Sequence, residues 1–180
     1  MALSFQDIEQ FPRSYWYTDC GFDYLEKMLD SWNDRDSGSP LILNPEWQRG
    51  HVWTEEQQIA FMEYMLKGGT TGRVVYFNCS SWGRGYNTPV YCLDGLQRIT
   101  TVLKFMRNEL PAFGHTFKQF DGLLRGLAND RFQVHMLNIE NKKDLLKVYL
   151  DFNSGGTPHN PKELDRVAKM IQDTPDDETV

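Results

Sequence analysis

Hydrophobic residues recur at two spacings along the chain, and these spacings predict which segments are helices. Residues 22–32 place apolar side chains on one helical face, and residues 141–152 do the same. Thr54-Glu-Glu-Gln57 has the spacing of a capping box, and a last helix begins at Pro161 behind Asn160 as its N-cap. We therefore expect amphipathic helices that each bury one side.

Shorter segments rich in β-branched and aromatic residues predict strands at 41–43, 73–78, 90–93 and 132–137. Strands and helices do not alternate regularly, so the pattern does not support a Rossmann-type βαβα chain. We expect an α+β fold in which helices pack a small mixed sheet.

The length of 180 residues suits one domain with a core of its own. The periodic segments place this domain at residues 22–170, with residues 1–21 as an N-terminal extension and residues 171–180 as an acidic tail that frays. No apolar run approaches the roughly 20 residues that span a membrane. The N-terminus lacks the basic start and apolar stretch of a signal peptide, so we expect a cytoplasmic protein.

Charge is distributed unevenly. The net charge is −6, but residues 1–40 carry −5 and residues 171–180 carry −4, which leaves +3 for residues 41–170. A mildly basic body permits a phosphate-bearing partner without indicating one. Three cysteines without a CxxC pair and four histidines without a metal-binding spacing give no sign of a disulfide or a zinc site.

Polar chemistry concentrates in three segments, of which the most informative is VYCLDGLQRITTVL at residues 90–103. Its start has the pattern of a buried strand, Asp94-Gly95 interrupts it, and a helix follows over about residues 97–109. Asp-Gly is also a common hairpin turn, but the helical continuation favours a strand-to-helix junction. The free backbone N–H groups and helix dipole of such a junction attract anions. Arg98 adds positive charge, and Asp94 can hold a divalent cation or orient a nucleophile.

The other two segments allow two interpretations each. In NPEWQRGHVW, residues 44–53, Arg49 is either part of a loop pinned by tryptophans or a planar fork for phosphate. Residues 151–158 combine a Gly-Gly pair with Asn153, which fits either ordinary helix capping or polar groups that close over a ligand. No P-loop sequence is present, so any nucleotide would be bound in another way.

Taken in order, the three segments resemble the motifs of the N-terminal domain of GmrSD-type restriction enzymes, which are modification-dependent (type IV). NPEWQRGHVW resembles P-x-(Y/F)-Q-R-x-(Y/F)-V-W, DGLQRITT resembles D-G-Q-Q-R-x-T-(S/T), and FNSGGTPHNPKEL resembles N-(T/S)-G-G-x-x-(L/I)-(S/T)-x-x-E. The resemblance extends over residues 22–170. It implies a ParB/sulfiredoxin-like α+β domain, a fold whose members bind nucleotides without a P-loop.

The resemblance also implies a nucleotide site with three walls and a bound Mg²⁺. The residues implied at these walls are Asp94, Gly95, Gln97, Arg98 and Thr100, then Pro45, Gln48 and Arg49, and finally Asn153, Gly155 and Gly156. Asp94 and Arg98 would be catalytic, and Asp94 would hold the metal. The nucleotide would be ATP, GTP or CTP, a choice that the residues leave open.

Three features depart from the family pattern. Leu96 replaces the first glutamine of D-G-Q-Q-R, which removes a polar group and weakens the case for hydrolysis. His159 stands where an aliphatic residue is usual. The sequence also contains no nuclease half, so we expect a stand-alone copy that relies on a separate nuclease or restriction subunit.

Two functions stay open. The first is an NTP hydrolase or kinase-like phosphotransferase that acts on or with DNA, base-modified DNA included. The second is a non-catalytic DNA- or partner-binding module, either a nucleotide-switched regulator or a restriction-interfering protein, in which Trp47, Trp53 and Trp82 offer a stacking surface. A homodimer is a further candidate state, and no membrane partner is expected.

Overall fold

The structure is a computed structural model, and it describes residues 15–33, 39–48, 50, 52–85, 87–122, 130–154 and 161–180. Within these residues the strands are β1 Trp16–Gly21, β2 Leu41–Ile42, β3 Val74–Asn78, β4 Val90–Asp94 and β5 Arg131–Leu137. They form one sheet in the order β1-β5-β3-β4-β2. The pairs β1–β5 and β3–β4 are antiparallel, whereas β3–β5 and β2–β4 are parallel. The expected mixed sheet is confirmed.

Helices cover both faces of this sheet. The helices in the described ranges are α1 Phe22–Trp32, α2 Glu55–Leu66, α3 Leu96–Met106, α4 Lys142–Ser154 and α5 Pro161–Asp173. Helices α1, α2 and α3 share one core with the sheet, and α4 and α5 share a second core on the opposite face. The expected α+β class is therefore confirmed. The fold has three layers, with the sheet between two layers of helices. None of these helices combines the length and apolar character needed to cross a bilayer.

Helices α2 and α3 begin for different reasons. Gln57 N donates to Thr54 Oγ1 at 3.3 Å, and Thr54 N donates to Gln57 Oε1 at 2.9 Å, so the predicted capping box is confirmed. Helix α3 begins directly after Gly95, without a side-chain cap. It ends at Met106, earlier than the pattern indicates, and the left-handed φ of 66° at Asn108 prevents its continuation.

Strand β1 is not indicated by the hydrophobic pattern, and residues 16–21 are assigned above to an N-terminal extension. In the structure they pair with β5 over six residues, so the sheet begins before residue 22. One side of β1 faces the core through Cys20, while Tyr17 on the other side is 66% exposed. The polar Thr18 stands between Trp16 and Cys20 on the core-facing side of the strand, and this obscures the alternation in the sequence. The pairing with β5 therefore decides the strand.

The acidic C-terminal segment is held against α4. Lys142 Nζ lies 2.8 Å from Glu178 Oε1, and Lys143 Nζ lies 2.6 Å from Asp176 Oδ1. The expectation that residues 171–180 fray is therefore wrong. The reason is that two lysines in the first turn of α4 compensate acids that lie more than thirty residues later in the chain.

Replacing Lys142 with methionine should weaken this anchoring. The hydrogen bond to Glu178 is the main cause that raises the pKa of Lys142 above its ordinary value of 10.5. Because the folded-state pKa is raised, the stabilisation is fully present below pH 10.5 and is lost only as the pH rises further. We expect Lys142→Met to lower the free energy of unfolding by about 0.5–1 kcal/mol in urea denaturation, with no change between about pH 6 and about pH 9.

The matched control is Lys147→Met, which removes an exposed pair with Asp144 on the same helix. It should cost less, because an exposed i,i+3 pair contributes only a few tenths of a kcal/mol. Equal losses for the two variants would contradict an anchoring role for Lys142.

Candidate functional site

An ion pair occupies the junction between β4 and α3. Asp94 is the last residue of β4, and Arg98 lies in the first turn of α3. Arg98 Nη2 donates to Asp94 Oδ2 at 2.8 Å. The Asp94 side chain is 44% exposed and the Arg98 side chain is 15% exposed. The pair therefore presents the carboxylate to solvent and keeps the guanidinium inside.

Backbone carbonyls also hold Arg98. Its Nη1 donates to the carbonyl of Gly72 at 2.9 Å and to that of Val74 at 2.7 Å. Together with the bond to Asp94, these contacts use three of the five N–H groups of the guanidinium. Arg98 therefore ties α3 to the start of β3 and orients the Asp94 carboxylate.

Gly95 allows β4 to turn directly into α3. Its φ is 120°, which side chains disfavour. A Cβ at this position would lie 2.5 Å from Val75 Cγ1, closer than any side chain allows. The missing side chain thus lets α3 start against β3, where Arg98 reaches the carbonyl of Val74.

Two neighbours of the junction are buried. Leu96, at the position where the family pattern has glutamine, is 6% exposed and belongs to the core under α1, α2 and α3. The leucine therefore replaces a polar group at a position that faces the core. Burial, followed by the negative charge of Asp94, raises the pKa of the Cys92 thiol well above its usual range. Cys92 therefore stays protonated at neutral pH and is no nucleophile.

Gln97 connects the junction to the first motif. Its Oε1 accepts from the N–H of Val52 at 2.9 Å and from that of Trp53 at 3.0 Å. Its Nε2 donates to the carbonyl of Gly50 at 3.3 Å. These bonds fix the end of NPEWQRGHVW against the first turn of α3. Gln97 is thus a positioning residue in this structure, and its contact with a nucleotide stays a prediction.

A second amide, which sequence reasoning missed, holds the same segment. Gln58 in α2 is 4% exposed, and its Nε2 donates to the carbonyls of Trp53 at 3.1 Å and Thr54 at 3.3 Å. Lys104 Nζ donates to Gln58 Oε1 at 3.1 Å. The sequence does carry a signal for this residue, because Gln58 stands next to the apolar face of a predicted helix. A side-chain amide that is buried at such a position needs hydrogen-bond partners.

The start of the first motif is anchored from the other face of the sheet. Trp47 is 2% exposed, and its ring centroid lies 5.0 Å from that of Tyr91 on β4. Arg166 of α5 donates through Nη2 to the carbonyl of Trp47 at 2.7 Å and through Nη1 to that of Glu46 at 3.0 Å. The motif therefore lies between β4 and α5.

Two buried polar atoms of this motif lack a hydrogen bond. Within the part of the chain that the structure describes, no group bonds Trp47 Nε1 or Gln48 Oε1. Such orphan atoms are uncommon in folded proteins and mark places where water or a ligand supplies the missing partner. This observation is compatible with the predicted role of Gln48.

The third motif approaches the same junction. Asn153 is near the end of α4, and its Nδ2 donates to the carbonyl of Tyr149 at 2.7 Å. The neighbouring Phe152 ring lies 4.6 Å from the ring of Tyr76, measured between centroids. Tyr76 is the ladder partner of Asp94. The three predicted segments therefore converge around the end of β4.

The predicted site residues differ in what the structure shows of them. Those that meet at the junction are Asp94, Gly95, Gln97 and Arg98. Thr100 is half-buried in α3, and Pro45 is buried. The predicted residues that lie outside the described ranges are Arg49, Gly155 and Gly156, together with His159.

The tryptophans do not form the expected stacking surface. Trp47 and Trp82 are 2% and 9% exposed and belong to the two cores. Trp53 is half-buried and packs on Phe61, with 5.3 Å between ring centroids. The expectation is wrong for Trp47 and Trp82 because both complete a core.

A metal ion at this site would depend on a single carboxylate. Among the described residues, no group of three or more His, Cys, Asp or Glu side chains could hold a metal. Mg²⁺ is commonly bound through one or two carboxylates together with substrate phosphates. The half-exposed Asp94 fits an Mg²⁺ that arrives with a nucleotide.

Replacing Gly95 with alanine should destabilise the protein strongly. The new Cβ would adopt an unfavourable φ and would also collide with Val75. We expect a loss of about 2–4 kcal/mol in the free energy of unfolding, measured by urea denaturation.

Gly85→Ala is the matched control for Gly95→Ala. Gly85 has a φ of 122°, and no atom lies within 4 Å of its would-be Cβ, so only backbone strain of about 1–2 kcal/mol remains. Equal losses would show that the contact with Val75 is unimportant.

Replacing Gln97 with methionine should release the segment that ends the first motif. The N–H groups of Val52 and Trp53 lose their acceptor, so their amide hydrogens should exchange faster in NMR experiments. We expect stability to fall by about 1–3 kcal/mol. Gln97→Glu keeps the acceptor and should protect both amides, and unchanged exchange in Gln97→Met would refute the positioning role.

Comparison with known families covers the part of the chain that holds the first two motifs. The family profile described as "GmrSD restriction endonuclease, N-terminal domain" matches residues 25–130, more than half of the chain. This range contains the first two motifs and the whole β4–α3 junction. No curated protein and no solved structure gives a significant match. The chain therefore belongs to the family of GmrSD restriction endonuclease N-terminal domains, which associates it with type IV restriction systems.

Proposed function

We propose that this domain binds a nucleoside triphosphate with Mg²⁺ where its three motifs converge, and hydrolyses the terminal phosphate or transfers it. The observation that carries the proposal is the half-exposed Asp94 carboxylate, which Arg98 fixes at the N-terminus of α3. Family membership supports a role beside DNA in a restriction system. Base-modified DNA and a separate nuclease subunit are the partners that fit this role.

The carboxylate of Asp94 and the backbone N–H groups of α3 would have different roles in binding. Arg98 occupies Asp94 Oδ2, and no described group bonds Oδ1, so this oxygen is available to Mg²⁺ or to an acceptor hydroxyl. The N–H groups of Gln97 and Arg98 are left without a side-chain cap, and uncapped helix amides attract phosphate. Bound Mg²⁺ would offset negative charge on the phosphates.

A second candidate function is nucleotide binding without turnover, as in a nucleotide-switched regulator or a restriction-interfering protein. The observation that favours it is the commitment of Arg98 to two carbonyls and Asp94. Phosphoryl transfer is accelerated by cations that face the phosphates, and a guanidinium engaged inside the protein has few donors left for that role.

Asp94→Asn should abolish the Mg²⁺-dependent part of nucleotide binding. The amide keeps the shape of the side chain but loses the charge that a hard cation requires. We expect at least roughly a tenfold loss of affinity for ATP, GTP or CTP, measured by calorimetry with and without Mg²⁺. Asp144→Asn, which changes an exposed carboxylate on α4, is the control and should bind as wild type.

Conversion of the nucleoside triphosphate to the diphosphate separates the two candidate functions, because both hydrolysis and transfer of the terminal phosphate leave the diphosphate. If the wild type forms diphosphate and Asp94→Asn does not, the domain is a phosphoryl-transfer enzyme. If the wild type binds nucleotide with Mg²⁺ and forms no diphosphate, with or without DNA, it is a switch. Absence of binding to every nucleotide, or equal binding by Asp94→Asn, would refute the nucleotide site.

A further inference from the structure

Four aromatic rings form a stack on the face of the sheet that carries α4. The ring centroids of Tyr17 and His135 are 5.6 Å apart, those of His135 and Tyr76 are 5.0 Å apart, and those of Tyr76 and Phe152 are 4.6 Å apart. These spacings are close to the roughly 4.8 Å between strands, because the first three rings stand on β1, β5 and β3. His135 and Tyr76 therefore have a ring on each side, whereas Tyr17 ends the stack.

The outer face of Tyr17 is open. Strand β1 is the edge of the described sheet, so the ring face turned away from His135 lies beyond that edge. The residue is 66% exposed, more than any other large hydrophobic residue in the described ranges. Tyr15 lies two residues earlier, just before β1, and is 57% exposed. We call these two residues the β1 tyrosine patch.

The position of Tyr15 is supported by the loop after β3. A Cβ on Gly83 would lie 3.1 Å from Tyr15 Oη, so the phenol rests against the glycine backbone. Tyr15 N also donates to the carbonyl of Met136 at 2.9 Å, which extends the pairing of β1 with β5. The two exposed rings are thus attached to backbone that is already ordered. Because little conformational entropy is lost when a ligand binds to such a preordered surface, the arrangement favours binding.

A hydrogen-bond acceptor stands next to the patch. Asp19 follows Tyr17 by two residues, which places it on the same side of β1 at a distance of about 6.6–7 Å along the strand. It is exposed, and no described residue bonds its carboxylate. A flat ring stacked on the outer face of Tyr17 would bring its edge toward this carboxylate. Carboxylates accept hydrogen bonds from the exocyclic amine of cytosine, and an adenine amine offers the same donor.

Charge argues against a paired DNA backbone at this place. The chain carries a net charge of −6, and Asp19 repels phosphate. Arg84 lies next to Gly83, and Arg131 is the first residue of β5, but each already pairs with a carboxylate. Few phosphates can be neutralised here, so stacking and the acceptor must supply the binding.

We propose that Tyr17 and Asp19 bind one unpaired, amine-bearing base of DNA, with the base stacked on Tyr17 and its exocyclic amine donating to Asp19. Tyr15 stacks on the neighbouring base. The proposal rests on the DNA part of the proposed function. It is independent of the nucleotide site, because β5 and β3 separate β1 from Asp94 on β4.

The test is fluorescence anisotropy with labelled single strands of about ten nucleotides, made of dC, dA or dT, beside a fully paired duplex. The wild type should bind dC and dA more tightly than dT, and the duplex most weakly. Tyr17→Leu should weaken binding to dC about tenfold or more, and Tyr17→Phe should retain it because the ring remains. Tyr24→Leu, which changes a 48% exposed tyrosine on α1, is the control and should bind as wild type.

Asp19→Asn tests the acceptor separately. It should reduce the preference for dC and dA over dT, because an amide presents a donor as well as an acceptor. If Tyr17→Leu does not fold, as judged by circular dichroism, the selectivity of Asp19→Asn decides. The proposal is overturned if the wild type binds dC no more tightly than dT, if it binds no strand, or if Tyr17→Leu and Tyr24→Leu bind alike. Nucleotide affinity measured in the same variants should not change. The strand-binding data therefore test the base site at Tyr17 and Asp19, and the nucleotide data test the site at Asp94 separately.

Discussion

Arg98 and its three acceptors hold together the part of the structure on which the site depends. One guanidinium joins the first turn of α3 and the end of β4 to the carbonyl of Gly72, just before β3, and to that of Val74, the first residue of β3. Hydrogen bonds to a charged group contribute about 1.5–3 kcal/mol each when formed, and removing the donor would leave three acceptors without it. Gly95 makes this geometry accessible, because a side chain there would push α3 away from Val75.

This constraint shapes the chemistry available at the junction. A guanidinium that is needed to fix the fold has limited freedom to follow a ligand, whereas the carboxylate that it orients stays half-exposed. The first motif is positioned in a similar way, since Gln97, Gln58 and Arg166 all bind its backbone. These contacts go to the backbone of the motif, and the buried Gln48 Oε1 keeps no partner among the described residues.

The two faces of the sheet carry different parts of the candidate sites. The core under α1, α2 and α3 holds the helix that begins the candidate nucleotide site, while α4, on the opposite face, brings Phe152 at the start of the third motif against Tyr76, the ladder partner of Asp94. The ring stack crosses the sheet from Phe152 of that motif to the exposed Tyr17 on the edge strand β1. A single sheet thus connects a polar junction with an aromatic edge, although each has its own chemistry.

The sequence alone determined the family, the α+β class, the capping box at Thr54 and the strand-to-helix junction at Asp94-Gly95. These features follow from local rules: residue spacing, a cap, and a glycine where the backbone needs a positive φ. Only the tertiary structure decided that residues 16–21 join the sheet, that Trp47 and Trp82 are buried, and that Arg98 faces inward. Each of these depends on partners distant in the sequence, such as β5 for β1 and the carbonyl of Gly72 for Arg98, which no local pattern records.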